Sequence, residues 1–510
     1  MIPREHQALD QAFPGALPGS PGNPVLRDPR LYALAALVGG FAHVFLALPL
    51  YEWWDRILAW ALLCVFLAVV FRFFLDGERR VPLLPLIALQ FYVMYGLPQF
   101  RETSLFLGSL ATLFVPDGWA ITAAMGLALA AEVAVLLGYW WGRRRAARTR
   151  SHLMRFFPEP HTGWKTGILV YVALSCIFEV EWTIRPDLFP MELRNFAAML
   201  FQPYLAFALC LLVLYRWRAP GWRGLSVGVF SVLMLAGLIS GMMEGIVVPI
   251  YIAIVARWVW TRTLKAHWIV AAATVFIFLS PAKYAVRKAG VGMSEAGFTE
   301  RAAESLTVWR DQAAFSWSDA AASISPLDML TRRTSSLLAL AQIVQWVPSV
   351  VPFNNGAGLE TTALYFVPRV IWRDKPGISD LINNRFAIAF GYASAEGVEQ
   401  TTFGITQPGD GYWDFGVLGA LLYPALLGLL VGWVSHARSK GSHMSLIIQL
   451  LFSAFFFQSL SAFQNILASL FTFFVGCWLA LFAINATAEL TGTAPRTNPH
   501  QRTPGTVHPA

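Results

Sequence analysis

Apolar residues come in runs of roughly twenty separated by short polar connectors, and this alternation sets the expected fold. From the N-terminus the runs lie at 31–50, 57–75, 82–98, 118–141, 164–182, 196–215, 224–241, 244–260, 267–285, 415–435, 444–462 and 465–486. Each is long enough to cross a bilayer as a helix, so the pattern predicts an all-α, polytopic integral membrane protein of about 12 spans. The chain then divides into a disordered tail at 1–30, a transmembrane bundle at 31–285, one large loop at 286–414, a second transmembrane set at 415–486 and a disordered tail at 487–510. Neither tail has the apolar content a packed core needs, and the first lacks the apolar stretch and small-residue cleavage site of a secretory signal.

The long loop has a periodicity of its own. Phe298, Ala302, Leu306, Trp309, Ala313 and Trp317 recur at spacings of three and four, which predicts an amphipathic helix on the membrane surface or the bundle. Ser325-Pro326-Leu327-Asp328 has the form of a capped helix start, with proline at the first helical position, and Leu330, Leu337, Leu338, Ala341 and Val344 continue the helix to Pro348. Asn354-Asn355-Gly356-Ala357-Gly358 then breaks the chain.

Composition agrees with the pattern: 56% of residues are hydrophobic, 13% are charged and mean hydropathy is +0.54, outside the range of soluble domains. The net charge of +8 comes from short basic clusters between apolar runs, which report topology rather than a nucleic-acid partner. Arg79-Arg80 and the clusters in 143–150, 216–223, 257–265 and 438–440 fall on alternate connectors, while 52–55, 101–117, 181–194 and 241–245 carry mixed or acidic charge. Both termini are therefore expected in the cytoplasm and the long loop outside. Cys64, Cys176, Cys210 and Cys477 all lie within apolar runs, and neither they nor the histidines show the spacing of a metal site. His267, His436 and His443 fall in the connectors assigned to the cytoplasm.

Candidate chemistry concentrates in residues 365–419. Arg369, Arg373, Lys375 and Arg385 offer cationic donors, Asp374, Asp380, Glu396, Asp410 and Asp414 carboxylates, and Trp372, Tyr392, Tyr412 and Trp413 flat faces. Arginine forks and a lysine point charge suit a pyrophosphate; carboxylates and aromatic rings suit sugar hydroxyls and C–H faces. Asp410, in a glycine-flanked turn ahead of an apolar run, is a candidate general base for a sugar hydroxyl and equally a candidate helix N-cap; for Asp414 the cap is preferred. Glu396 and Glu244 are further candidate catalytic acids. A carboxylate as close to hydrocarbon as Glu244 costs about 3 kcal/mol unless it faces the bundle or water. Arg332 and Arg333 suit either a phosphate or the interface, where their stems snorkel.

Arg332-Arg333, the Gly356-Ala357-Gly358 turn, Val367-Pro368-Arg369 with Trp372 and Lys375-Pro376, Phe390-Gly391-Tyr392, and Gly409-Asp410-Gly411-Tyr412-Trp413-Asp414-Phe415-Gly416 stand in an order that resembles the Wzy-type polymerases of O-antigen and exopolysaccharide repeat units. The resemblance covers about 90 residues by motif and the remainder by topology alone. It implies a glycosyltransferase of the bacterial inner membrane that joins undecaprenyl-pyrophosphate-linked oligosaccharides at the periplasmic face. It implies no cofactor and no nucleic acid, with membrane lipid, a flippase and a chain-length regulator as partners. Where such proteins often carry an arginine, this chain has Glu244. Three other readings stay open: an O-antigen ligase, which shares the donor; another lipid-linked-sugar transferase using Glu52 and Asp55; and a transporter or flippase, for which the spans carry few charges.

Overall fold

The computed structural model describes residues 24–76, 81–100, 116–148, 163–184, 200–239, 243–261, 336–360, 378–392, 405–436, 443–458 and 463–491, with a few single positions between them. The regular structure among the described residues is helical throughout. Helices α1 (Pro29–Leu46) and α2 (Trp53–Asp76) form a hairpin. Helix α3 (Leu83–Phe91) runs on through a π turn at Tyr92–Gly96 and a 3-10 turn at Leu97–Phe100. Then come α4 (Gly118–Arg148), α5 (Trp164–Ile184), α6 (Pro203–Arg216), α7 (Trp222–Ile239) and α8 (Met243–Thr261). Two short helices, α9 (Leu337–Trp346) and α10 (Ile378–Ala389), precede α11 (Gln407–His436), α12 (His443–Gln458) and α13 (Phe463–Leu490).

Seven stretches among the described residues are long and apolar enough to cross a membrane: α1, α2, α3 with its extension, α4, α7, α11 and most of α13. Parts of α6 and α8, and α9, are apolar but shorter. This is the build of a membrane protein. The run at 267–285 and the amphipathic pattern at 298–317 lie outside the described residues.

Local chemistry explains several helix starts. Asp28 caps α1 by accepting from the Arg30 amide at 2.9 Å, with Pro29 at the first helical position. In α2 the third-position Asp55 reaches back to the Glu52 amide at 2.9 Å, one half of a capping box. Its other oxygen accepts from the Thr122 hydroxyl at 2.6 Å, which ties the start of α2 to the start of α4. At the far ends of the same helices Arg143 meets Asp76 at 3.5 Å, so α2 and α4 run parallel. The end where α2 and α4 begin is termed upper, the other lower.

The most extensive helix pair is α4 with α11, and glycine makes it possible. A Cβ on Gly138 would strike the Ala425 carbonyl, one on Gly142 that of Leu429, one on Gly428 that of Val135, and one on Gly432 that of Tyr139. Two glycines a turn apart on each helix thus let the backbones touch, as in close-packed membrane helix pairs. Partner numbers rise together along both chains, so α11 is parallel to α4. Around this pair stand α1, α2, α3 and α9. A second group, α5 to α8 with α12 and α13, joins it through α3 with α12 and α11 with α13. Helix α13 returns antiparallel to α5, with Trp164 Nε1 donating to Asn485 Oδ1 at 3.0 Å at the lower end.

Helix α9 falls where Leu337, Leu338, Ala341 and Val344 predict a helix, and it is packed into the bundle. Leu337, Leu338, Leu340, Ala341, Gln342, Ile343 and Val344 are all buried, so the helix has no solvated face and sits among α4, α11 and the upper part of α3. The amide of Ser336 donates to the Met94 carbonyl at 3.1 Å, and Gln345 Nε2 donates to Asp117 at 2.8 Å beside the start of α4. A nearly all-apolar ten-residue helix is buried because it has no polar face to offer to water.

Candidate functional site

Helix α11 is broken near its upper end. Phe415 (φ −139°, ψ 22°) and Gly416 (φ 63°, ψ −148°) leave helical geometry, and the positive φ explains the glycine. The two halves fold toward each other until Gly411 and Gly419 touch, a Cβ on either striking the other's carbonyl. Eight residues would span about 12 Å in a straight helix. Of the glycines that flank Asp410 in the sequence, Gly411 thus acts structurally by permitting backbone contact with Gly419, while Gly416 turns the chain.

Asp410 therefore lies in the first turn of α11, ahead of the break, rather than in a turn before a helix that starts at 415. It is 2% exposed, and its Oδ2 accepts from the Phe463 amide at 3.1 Å. Phe463 is the first residue of α13, so Asp410 satisfies an orphan amide of a helix 53 residues further on. The capping role holds, but for another helix.

Asp414 is 1% exposed and anchors the break itself. Its Oδ1 accepts from Asn354 Nδ2 at 2.7 Å and from the Gly356 amide at 3.3 Å, and its Oδ2 accepts from the Tyr423 hydroxyl at 2.6 Å. Tyr423 in turn stacks on Phe463 with ring centroids 4.7 Å apart. Asp410, Phe463, Tyr423 and Asp414 thus form a closed ring of contacts that locks the two halves of α11 and the start of α13 together.

Above the ring a small second core forms from Ile343, Val347, Val351, Phe386, Phe390, Tyr392, Ile405 and Trp413. Trp413 Nε1 donates to the Pro352 carbonyl at 3.2 Å, and the Asn354 amide donates to the Trp413 carbonyl at 2.9 Å. The Tyr392 hydroxyl donates to Gln342 Oε1, and burial pushes its titration above the ordinary tyrosine range, so it stays a neutral donor. Of the aromatic faces proposed for sugars, Tyr392 and Trp413 are buried in this core and Tyr412 is half-buried against it. The turn expected at 354–358 is present, with positive φ at Asn355 (50°) and Gly356 (76°).

Beside the ring, Gln407 is 2% exposed and neither amide atom has a partner among the described residues. With Phe91, Met94, Tyr95, Thr406 and Pro408 it lines a cavity of about 10 Å³, room for one water. The π turn of α3 aims Tyr95 at this point, its hydroxyl donating to Thr406 Oγ1 at 2.8 Å. At the break the surface becomes apolar: Val350, Phe353, Phe415, Val417 and Leu418 are all exposed.

The other predicted residues are distributed as follows. Arg385 lies on α10 with its side chain exposed. Glu244 is the second residue of α8. Arg332, Arg333, Arg369, Trp372, Arg373, Lys375 and Glu396 lie outside the described residues. Asp55 is fully buried in its cap and its bond to Thr122, while Glu52 is exposed. Sequence reasoning passed over His43, which is fully buried, with Nδ1 3.1 Å from Gln99 Oε1 and Nε2 3.2 Å from the Tyr92 hydroxyl. A lone histidine within an apolar run was the available signal.

No curated protein and no solved structure matches the chain. A family described as a domain of unknown function, DUF8712, matches residues 163–490, which takes in the broken helix, the buried helix α9 and the helix that Asp410 caps. That match covers well over half of the sequence, and the chain belongs to the DUF8712 family.

Proposed function

We propose that the protein is a membrane glycosyltransferase that joins polyprenyl-pyrophosphate-linked oligosaccharides, a polymerase of surface polysaccharide acting at the upper end of the bundle. The observation that carries this reading is the juxtaposition at the break of α11: buried carboxylates and amides lie directly beside an exposed apolar ridge of Val350, Phe353, Phe415, Val417 and Leu418. An amphiphile with a hydrocarbon tail and a sugar-phosphate head needs both surfaces within one molecular length. The motif order in 332–416 supplies the phosphate cations, Arg369 foremost.

In the proposed reaction an acceptor hydroxyl forms a bond to the anomeric carbon of the donor as the bond from that carbon to the pyrophosphate oxygen breaks. The acceptor's proton passes to a carboxylate, and the cations stabilise charge growing on the leaving pyrophosphate. Asp410 is the candidate for that base, with its Oδ2 at the same time capping the Phe463 amide.

The bacterial inner membrane is the proposed site of action, with both termini in the cytoplasm and the upper end outside. The packing supports one further crossing between α8 and α9. Trp258, near the end of α8, meets Phe74 of α2 at the lower end, with ring centroids 5.9 Å apart, whereas Ser336 bonds to Met94 in the upper part of α3. The apolar run at 267–285 is the segment suited to make that passage.

The test is purified full-length protein assayed on lipid-linked repeat units, beside gel analysis of surface glycans in a deletion strain. Polymer should form with wild type and vanish with Arg369→Ala, and Arg369→Lys should retain little, since lysine keeps the charge and loses the paired donors. An unchanged glycan profile in the deletion strain would remove the polymerase reading.

A further inference from the structure

Glu132 is the middle residue of the apolar span Gly118–Ala146 of α4. It is 1% exposed, and neither carboxyl oxygen has a partner among the described residues. The neighbours on its own helix are small and apolar, with Ala128, Ala131 and Val135 all buried. Positions 128, 132, 135 and 139 share one face, and Val135 and Tyr139 of that face are in backbone contact with Gly428 and Gly432 of α11. Glu132 thus lies on the stripe that α4 turns toward α11, about one turn above the first glycine contact. At that level α11 carries Pro424, which has no amide hydrogen and so leaves the Ala420 carbonyl without its helical donor.

The charged groups of the helices packed on α4 stand toward the two ends. On α2 these are Asp55 and Arg56 above and Arg72 and Asp76 below, with the uncharged thiol of Cys64 at mid-helix; α9 has none. Helix α3 brings Tyr92 and Tyr95, bonded to His43 and Thr406. On α11, Asp410, Tyr412 and Asp414 lie above and His436 below, while Tyr423, next to Pro424, donates its hydroxyl to Asp414 Oδ2 at 2.6 Å. Glu132 is the one carboxylate in the middle of the pair. An ionised carboxylate there, with no donor to meet it, costs far more than the neutral acid. A neutral carboxyl at a place where alanine or leucine would pack better is suited to carrying a proton.

We propose that Glu132 is a proton-binding site at the middle of the membrane, holding a proton while α4 and α11 are packed together and releasing it when the two helices part and admit water. This site stands apart from the transferase reading and does not depend on it.

The test is infrared spectroscopy of the full-length protein in lipid vesicles. Wild type should show the carbonyl stretch of a protonated, weakly hydrogen-bonded carboxyl, which shifts on transfer to deuterium oxide and is lost reversibly as pH is raised. Glu132→Gln should lack the band and Glu132→Asp should retain it at a shifted position. Dicyclohexylcarbodiimide gives a second readout. The acid O–H adds across a C=N bond of the reagent, the proton goes to nitrogen, the acyl group then migrates from oxygen to nitrogen, and nothing leaves. The adduct should map to the peptide carrying Glu132. Absence of both band and adduct in wild type overturns the proposal, as does a band that neither titrates nor exchanges deuterium. Loss of the band on adding sodium at constant pH would assign the site to a metal cation instead.

Discussion

The two aspartates of the broken helix differ in what they hold, and one substitution at each separates them. Asp410 presents an oxygen to the Phe463 amide, and asparagine keeps an amide oxygen that caps about as well. Asp414 accepts on both oxygens, from Asn354 and Gly356 on one and from Tyr423 on the other. Asparagine there keeps an oxygen for Asn354 and Gly356 only by presenting its NH2 to Tyr423, whose hydroxyl must then turn round to accept and lose the carboxylate it now donates to. Asp414→Asn is therefore expected to destabilise by about 1–3 kcal/mol, the cost of a buried polar group left unpaired, and Asp410→Asn by well under 1 kcal/mol. Thermal unfolding in detergent, read by near-ultraviolet circular dichroism, gives the order. If Asp410 also acts as a base, Asp410→Asn lowers turnover by about a hundredfold or more at near-normal stability, because an amide cannot take the acceptor's proton. Normal turnover in that variant leaves Asp410 as a cap alone.

Among the elements, the pair α4 and α11 rests on four glycines in backbone contact, and its prediction follows from where a side chain has room. Gly428→Leu would drive the helices apart, since the nearest atoms to a Cβ there belong to the Val135 backbone and cannot rotate away. Gly126→Ala on the same α4 meets nothing within 4 Å, so it should be neutral or stabilising by up to about 1 kcal/mol through helix propensity. In one detergent the thermal midpoint of Gly428→Leu should fall while that of Gly126→Ala stays or rises. A Gly428→Leu variant as stable as wild type would mean that the close contact contributes nothing. The same packing accounts for the return of α11 on itself: without glycine at 411 and 419 the two halves could not meet, and the exposed ridge beside the buried carboxylates would not form.

For the whole molecule the prediction concerns sides. Arg145 follows the Arg143 contact at the lower end, whereas Asn354 bonds to Asp414 at the upper end. Cysteines placed at 145 and 218 should react with an impermeant thiol reagent from the cytoplasmic side only, and cysteines at 294, 354 and 396 from the outside only. Position 294 is decisive for the extra crossing, because it should share the accessibility of 354 and not that of 218. Labelling of Ser294→Cys solely after lysis would place the passage between α8 and α9 later in the chain, or remove it.

The existence and approximate limits of the long apolar helices such as α2 and α4 follow from the sequence because an apolar run of about twenty residues has few other options in a membrane, where each backbone amide must be bonded within its own segment. The run at 57–75 became Trp53–Asp76 and that at 118–141 became Gly118–Arg148. The turn at 354–358 was legible for a similar reason, since asparagine and glycine tolerate the positive φ it needs. What tertiary structure decided is partnership. Asp410 reads as a cap or a base from its neighbours, and only folding reveals that the amide it serves lies 53 residues ahead. Gly411 reads as part of a turn; that it packs against Gly419, and that Gly428 and Gly432 pack against α4 nearly 300 residues earlier, depends on contacts no local pattern encodes. Glu132 was one acid in an alanine-rich run, and its significance came from burial without a partner among the described residues, a property of the assembled bundle. Local sequence determines which segments become helices because backbone hydrogen bonding is local; it leaves open which faces meet, because that depends on shape complementarity between distant segments.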